Sequence, residues 1–405
     1  MKRSGTADLA LYGGGIPPWL FRRMKELTLP VVKAIIAQKG TDDFLERLSD
    51  PFWFQSFGAV IGMDWNSSGV TTAVMRALKQ TINPHSKELG LYICGGKGTE
   101  SIKTPNELLT VGDRTGLNGL ALARASKLSA KVDNTALQDG FSLYLHNFVV
   151  SDTGKWTVVQ QGMHQSNGRA RRYHWHSENL KSFVEEPHAA VCGENQGEIL
   201  NLVHKEARAT QRGILKIAAE HPDKLLKEIP RLIVPTYCDV KPKDIDLKRL
   251  GSVLWLAQES ETQKFDDLLL LKGLGPRTLQ SLTLVSEIIH GTPSRFSDPA
   301  RFSFAHGGKN AKPFAVPTKI YDKTICTLKE AVDKSRIGNS DKLRAIEKLT
   351  KIAQRAEAGF MPNASFDKVV AHEKSKADEY GTKGMPLASK KPKDEQLRLF
   401  DNQYD

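Results

Sequence analysis

Between Gly140 and Gln161 apolar and polar residues alternate with a period of two. Phe141, Leu143, Leu145 and Asn147 fall on one face of a strand, and Ser142, Tyr144, His146 and Phe148 on the other. After the turn Ser151-Asp152-Thr153-Gly154 a second strand runs over Lys155 to Gln161, so the segment reads as a β-hairpin. Both faces are largely apolar, which predicts an inner pair of strands. A further short strand is expected at Gly90 to Cys94, ending at Gly95-Gly96. From about Leu202 the spacing changes to three and four residues, as in Leu215, Ile217 and Ala218 and in Leu250, Val253, Leu254 and Leu256, and predicts helices. Beyond about Phe360 the chain is polar and Lys-rich, with too little apolar surface to fold alone. The expected fold is α+β: a mixed α/β domain over residues 1–205, an all-α domain over 206–360 and a disordered basic tail over 361–405.

Composition narrows the function. The 405 residues are 40% hydrophobic and 26% charged, and no apolar run approaches the roughly 20 residues of a membrane span. The opening, Met1-Lys2-Arg3-Ser4, lacks the apolar stretch of a secretory signal, so a cytoplasmic, nucleoid-associated protein is expected. Cys94, Cys192, Cys238 and Cys326 form no C-x-x-C pair and read as free thiols. A net charge of +12 and a pI near 9.3 favour a polyanionic partner, because neutralised phosphates release counterions.

The motif that turns this charge toward DNA lies near 262–290. An apolar helix from Phe265 runs into Lys272-Gly273-Leu274-Gly275-Pro276-Arg277-Thr278, and a second helix follows. Two glycines permit a tight turn, Pro276 suits a first helical turn, and the new helix presents its positive end to a phosphate. Leu274 is expected to plug into the core while Lys272 and Arg277 add charge, giving backbone contacts without sequence specificity. The stretch resembles the helix-hairpin-helix family at Leu271, Gly273, Leu274, Gly275 and Arg277. Base-excision glycosylases of that superfamily place a catalytic Asp after the second helix, and Asp298 lies in roughly that zone. Arg295 and Arg301, interleaved with Phe296, Phe302 and Phe304, enlarge the basic neighbourhood; the phenylalanines either stack bases or pin a loop. At the C-terminus Gln396-Leu397-Arg398-Leu399-Phe400 resembles the bacterial sliding-clamp binding motif, with Leu397, Leu399 and Phe400 as apolar anchors and Arg398 departing from the usual middle residue.

An active site would belong to the first domain. Metal-dependent phosphodiester cleavage needs carboxylates to hold Mg²⁺ or Mn²⁺ and a cation near the phosphate. Asp64, Asp133 and Asp139 are the candidate ligands; His146, His164 and His174 are the candidate proton carriers, and Arg171 and Arg172 the candidate cations. His176 and His188 could also supply a ligand or base, and His174 and His176 share a strand face close to the Arg171-Arg172 pair. Gln138-Asp139-Gly140 followed by Val158-Val159-Gln160-Gln161 looks a little like the layout of restriction-endonuclease-like nucleases, but lacks the second carboxylate and the lysine. Gly95-Gly96-Lys97-Gly98-Thr99 lacks the spacing of an ATP loop.

The opening through Leu9, together with Pro17-Pro18-Trp19-Leu20, Asp64 to Thr72, Val158 to Met163, Ala170 to Trp175 and Val184 to His188, resembles a family of archaeal and bacterial proteins carried as a domain of unknown function. That resemblance implies association with DNA transactions and nuclease activity, and transfers no catalytic residue. The expected function is sequence-nonspecific DNA binding in repair or replication-associated processing. The preferred activity is a metal-dependent, structure-directed nuclease recruited by the sliding clamp. A non-enzymatic DNA-binding adaptor on the clamp and a glycosylase using Asp298 are the alternatives.

Overall fold

The computed structural model describes residues 18–63, 69–164, 169–193, 195–223, 247–300 and 318–335, with 226, 338, 341–342 and 345–346 besides. Asp64, Arg301, Phe302, Phe304, Cys238, the peptide 396–400 and the whole tail lie outside these residues. The chain is mixed α+β with antiparallel sheets.

Three helices lead. Helix α1 (Pro18–Ser49) is broken at Gly40, whose φ of 85° is not helical. In α2 (Pro51–Val60) the first turn is set by Asp50, whose Oδ1 accepts from the N–H groups of Phe52 (2.7 Å) and Trp53 (3.0 Å), with Pro51 at the first position. Helix α3 spans Gly69–Ile82. Strand β1 (Leu91–Lys97) follows, then α4 (Thr104–Thr115) and α5 (Gly119–Lys131), the latter capped by Asn118 accepting from Ala121 N at 3.0 Å. A π-helical turn over Val132–Ala136 leads through β2 (Leu137–Gln138) into β3 (Phe141–Ser151) and β4 (Trp156–His164). Then come β5 (Ala170–His176), β6 (Ala190–Cys192), β7 (Glu198–Asn201) and helices α6 (Arg208–Ala219), α7 (Leu247–Glu259), α8 (Phe265–Leu269) and α9 (Pro276–His290). Strand β8 (Arg295–Ser297) and helix α10 (Thr318–Lys334) follow, and short helical turns fill some of the connections.

The principal sheet has the order β1-β3-β4-β5-β6, so the expected hairpin β3–β4 is internal. Its turn closes through Ser151 N to Lys155 O at 2.9 Å. Two expectations for these strands change. The first strand does not stop at Cys94 but pairs through Lys97 with Leu145. Strict alternation in β3 fails because the register slips between Leu143 and Leu145, opposite Gly162 and Gln161. That bulge at Tyr144 puts Leu143 in the same apolar cluster as Phe148 and Val150, whereas Val149 belongs to the other.

The sheet is covered on both faces. One cluster joins Ile93, Val149 and Val159 to Phe44, Trp53, Phe54 and Phe57 of α1–α2, to α3, and to Leu328 and Val332 of α10. Trp53 and Phe57 stack at 5.2 Å, and truncating such a ring to Ala costs about 3–5 kcal/mol. The other cluster joins Phe148, Val158, Tyr173 and Trp175 to Leu108, Leu122 and the helices α6–α9, and is continuous across residue 205. Nor is the region after 205 purely helical. Strand β8 extends β2-β7-β8, because its exposed-buried-exposed pattern turns Phe296 inward to stack on His204 at 4.8 Å.

Candidate functional site

The turn between α8 and α9 carries exposed basic residues. Gly273 has φ 81°, which favours glycine, whereas Gly275 has φ −108° and sits in extended backbone as the N-cap of α9. Leu274 between them is fully buried, and its N–H returns to Leu271 O at 3.2 Å. The turn's carbonyls are drawn to cations: Lys131 Nζ donates to Leu274 O at 2.7 Å and Arg249 Nε to Gly273 O at 3.2 Å. Lys272 and Arg277 are exposed, Thr278 is buried, and no side chain of the N-cap residue closes the first turn of α9. Acidic Asp266 and Asp267 at the start of α8 are taken up by Arg124 at 2.8 and 2.6 Å. Arg295, on β8, is exposed as well.

The polar residues of the sheet are interior. On the face toward α5 and α9, Asp133 accepts from Trp175 Nε1 at 2.9 Å, from Gln160 Nε2 and from His188 Nε2. Gln160 also donates to Ser129 O at 3.0 Å, which turns its Oε1 toward His146 Nδ1 at 2.6 Å; His146 Nε2 therefore accepts from the Ser126 hydroxyl at 2.8 Å. Burial pushes His146 down to about 4, outweighing its bond to Gln160 and the Asp133 charge, so the imidazole is neutral.

Close by, Arg171 Nη1 donates to Asp139 Oδ2 at 2.7 Å, and its Nη1 and Nη2 hold Asp298 at 3.0 and 2.7 Å. Asp139 also accepts from Tyr173 OH (2.7 Å) and Phe141 N (3.0 Å), and Asp298 from Gln196 N (2.7 Å) and Ala300 N (2.9 Å). Burial opposes charge on Arg171, but the two carboxylates outweigh it and raise its pKa above the ordinary value. His164, at the end of β4, packs edge-on against Phe141 at 5.3 Å; burial, then Arg171 and Arg169, lower its pKa.

On the opposite face Arg172 Nε donates to His174 Nε2 at 2.8 Å and Nη1 to Gln55 Oε1 at 2.8 Å and Thr71 Oγ1 at 3.3 Å. His174 Nδ1 donates to Leu48 O at 3.1 Å, and burial with the Arg172 charge drives its pKa well below the usual value. His176 shares this face, donating from Nδ1 to Thr157 Oγ1 at 2.9 Å. The two histidines thus lie with Arg172 alone; Arg171 points the other way because successive strand side chains alternate.

Of the candidate carboxylates, Asp133 and Asp139 belong to separate bonded networks, each with both oxygens occupied by protein donors. Among the described residues no group of three or more His, Cys, Asp or Glu side chains is placed to hold a metal ion. Arg171 and Arg172 are both buried rather than on the solvent-exposed surface, and His146 and His174 are buried and neutral. Cys94, Cys192 and Cys326 are free thiols, and no described helix is long and apolar enough to cross a membrane.

Residues 5–316 match the family described as Protein of unknown function (DUF763). The chain belongs to this family. No curated protein and no solved structure matches it. The buried polar network lies within the matched span, and its partners Ser126, Gln160, Tyr173, Trp175 and Gln55 do not stand out as site residues in the sequence. Their one visible signal is β5 itself, where Arg171-Arg172-Tyr173-His174-Trp175-His176 gives every position a polar tip and so demands hydrogen-bond partners on both faces.

Proposed function

We propose that this chain binds DNA through the phosphate backbone, without sequence preference, at the turn Leu270 to Gly275. The observation that carries this reading is the start of α9, not closed by an N-cap side chain, flanked by exposed Lys272 and Arg277 while Lys131 and Arg249 hold the turn's carbonyls. A helix N-terminus with adjacent cations suits an anion, and phosphate contacts carry no base information. The +12 charge of the chain supports the same partner. The helix-hairpin-helix resemblance of Leu271 to Arg277 agrees with it.

The reading is of a DNA-binding protein rather than of a nuclease or glycosylase. Asp133 and Asp139 are committed to separate partners, and Asp298 is held by Arg171 and two backbone N–H groups. Strand scission of flap, bubble or duplex DNA by the purified chain with Mg²⁺ or Mn²⁺ would restore a catalytic role. From its sequence the peptide Gln396 to Phe400 serves as a tether to the sliding clamp; its deletion removes clamp binding and spares intrinsic DNA affinity, as surface plasmon resonance on clamp and on DNA would read.

Fluorescence anisotropy on two unrelated duplexes over a salt series tests the DNA site. The double substitution Lys272→Ala, Arg277→Ala weakens both equally and lowers the magnitude of the log K against log salt slope by about 2, one unit per phosphate contact. Unchanged affinity in that variant would remove the turn from the interface.

A further inference from the structure

Arg172 is a buried cation whose described partners are all neutral. Its residue is 1% exposed, and it makes no ion pair with a carboxylate among the described residues. His174, Gln55 and Thr71 accept from Nε and Nη1, the Phe54 ring lies 4.5 Å from Cζ, and Nη2 has no acceptor among the described residues. The Cys192 thiol interacts with the guanidinium, but burial pushes it up to about 12, so it is neutral and supplies no counter-charge. Asp50, which acts on Cys192, is engaged by the N–H groups of Phe52 and Trp53. An arginine does not shed its proton, and a lone charge out of water is strongly unfavourable. Protein folds leave such a charge uncompensated only where something else meets it.

A second positive source lies beside the guanidinium. Thr71, which accepts from Nη1, stands in the first turn of α3 (Gly69–Ile82), where the helix dipole is positive. Gln55 and Thr71 fix the plane of the guanidinium through one nitrogen, leaving the edge at Nη2 for a further acceptor. The opposite sheet face shows what a guanidinium in this protein otherwise meets: Arg171, one residue earlier, holds two carboxylates.

We propose that Arg172 and the N-terminal turn of α3 hold a phosphate-type oxyanion, either inorganic phosphate or the phosphoryl group of a monoester. The oxyanion accepts from Nη2 and takes up the positive end of α3 in the way anions meet helix N-termini. Because Arg172 is closed to solvent, the anion is enclosed as the chain folds and stays with it. This site is independent of the DNA-binding turn, since Arg172 faces α2 and α3 whereas Leu274 packs in the cluster on the other side of the sheet.

The full chain, purified in phosphate-free chloride buffer, is denatured and its phosphate measured with molybdate before and after phosphatase treatment. The expected yield is about one equivalent per chain, directly reactive for inorganic phosphate or only after phosphatase for a monoester, and close to none from Arg172→Met. If that variant does not fold, urea unfolding of the wild type and Thr71→Val serves instead, with inorganic phosphate added at constant ionic strength. The wild-type midpoint rises with the logarithm of phosphate concentration and that of Thr71→Val rises less. Equal phosphate from wild type and Arg172→Met overturns the proposal. So does a phosphate-free wild type whose midpoint does not respond to phosphate, or equal responses of wild type and Thr71→Val.

Discussion

Arg171 and Arg172 are neighbours on β5, both out of water, and they face opposite layers of the protein. Arg171 draws Asp139 from 32 residues away and Asp298 from 127 residues away into one buried triad that ties β5 to the segment after α9. Arg172 is surrounded by a histidine, an amide, a hydroxyl and a ring. Two identical side chains one position apart thus meet opposite electrostatics, because strand alternation sends one toward the helices after α5 and the other toward α1–α3. Buried charge in this molecule is a matter of which layer supplies the partner.

The largest effect expected from breaking this contrast is in stability. Arg171→Met leaves two carboxylates buried without their cation and costs about 3–5 kcal/mol. Arg172→Met, measured against wild type freed of any bound phosphate, costs clearly less, since no carboxylate is stranded. Urea midpoints at constant m-value compare the two, and equal losses would erase the distinction between the faces.

A pH titration sharpens the same comparison. With His146 held down to about 4 against an ordinary value of 6.5, the unfolded chain takes up a proton between those values that the folded chain does not. Stability is therefore complete above about pH 6.5 and falls as the pH drops toward 4, by about 3 kcal/mol from this residue. His174, shifted in the same direction, adds to the fall. In His146→Gln the stability-versus-pH curve is shallower over this window; an unchanged slope would mean that His146 is already charged in the fold.

The smallest effect concerns the exposed turn. Gly273→Ala places a Cβ on a backbone of φ 81° and costs about 1–2 kcal/mol, with Val253 in ordinary contact at 3.6 Å. Gly275→Ala, at φ −108°, carries no such backbone strain. Thermal unfolding of the pair tests this: equal destabilisation would show that space rather than backbone conformation selects the first glycine.

Much of this was legible along the chain wherever the cause is local. The β3–β4 hairpin, helices α6, α7 and α9, and the left-handed glycine before Leu274 follow from alternation, three-to-four spacing and turn chemistry within a few residues. The slip at Tyr144 was not, because a bulge depends on the pairing of β3 with β4, and it moved Leu143 to the other layer. The candidate acidic site fared similarly: Asp133 and Asp139 are only six positions apart, yet one binds His188 and Trp175 while the other binds Arg171 and Tyr173.

By itself, the sequence determined a basic α+β chain with an internal hairpin and a tight Gly-Leu-Gly turn flanked by exposed cations, since periodicity, glycine conformation and net charge are properties of short stretches. Only the tertiary structure decided that Arg171 meets two carboxylates while Arg172 meets neutral partners among the described residues, and that Asp298 belongs with β5. Those outcomes depend on which distant segments the sheet brings against each face, and a partner 127 residues away leaves no mark on its neighbours in the chain.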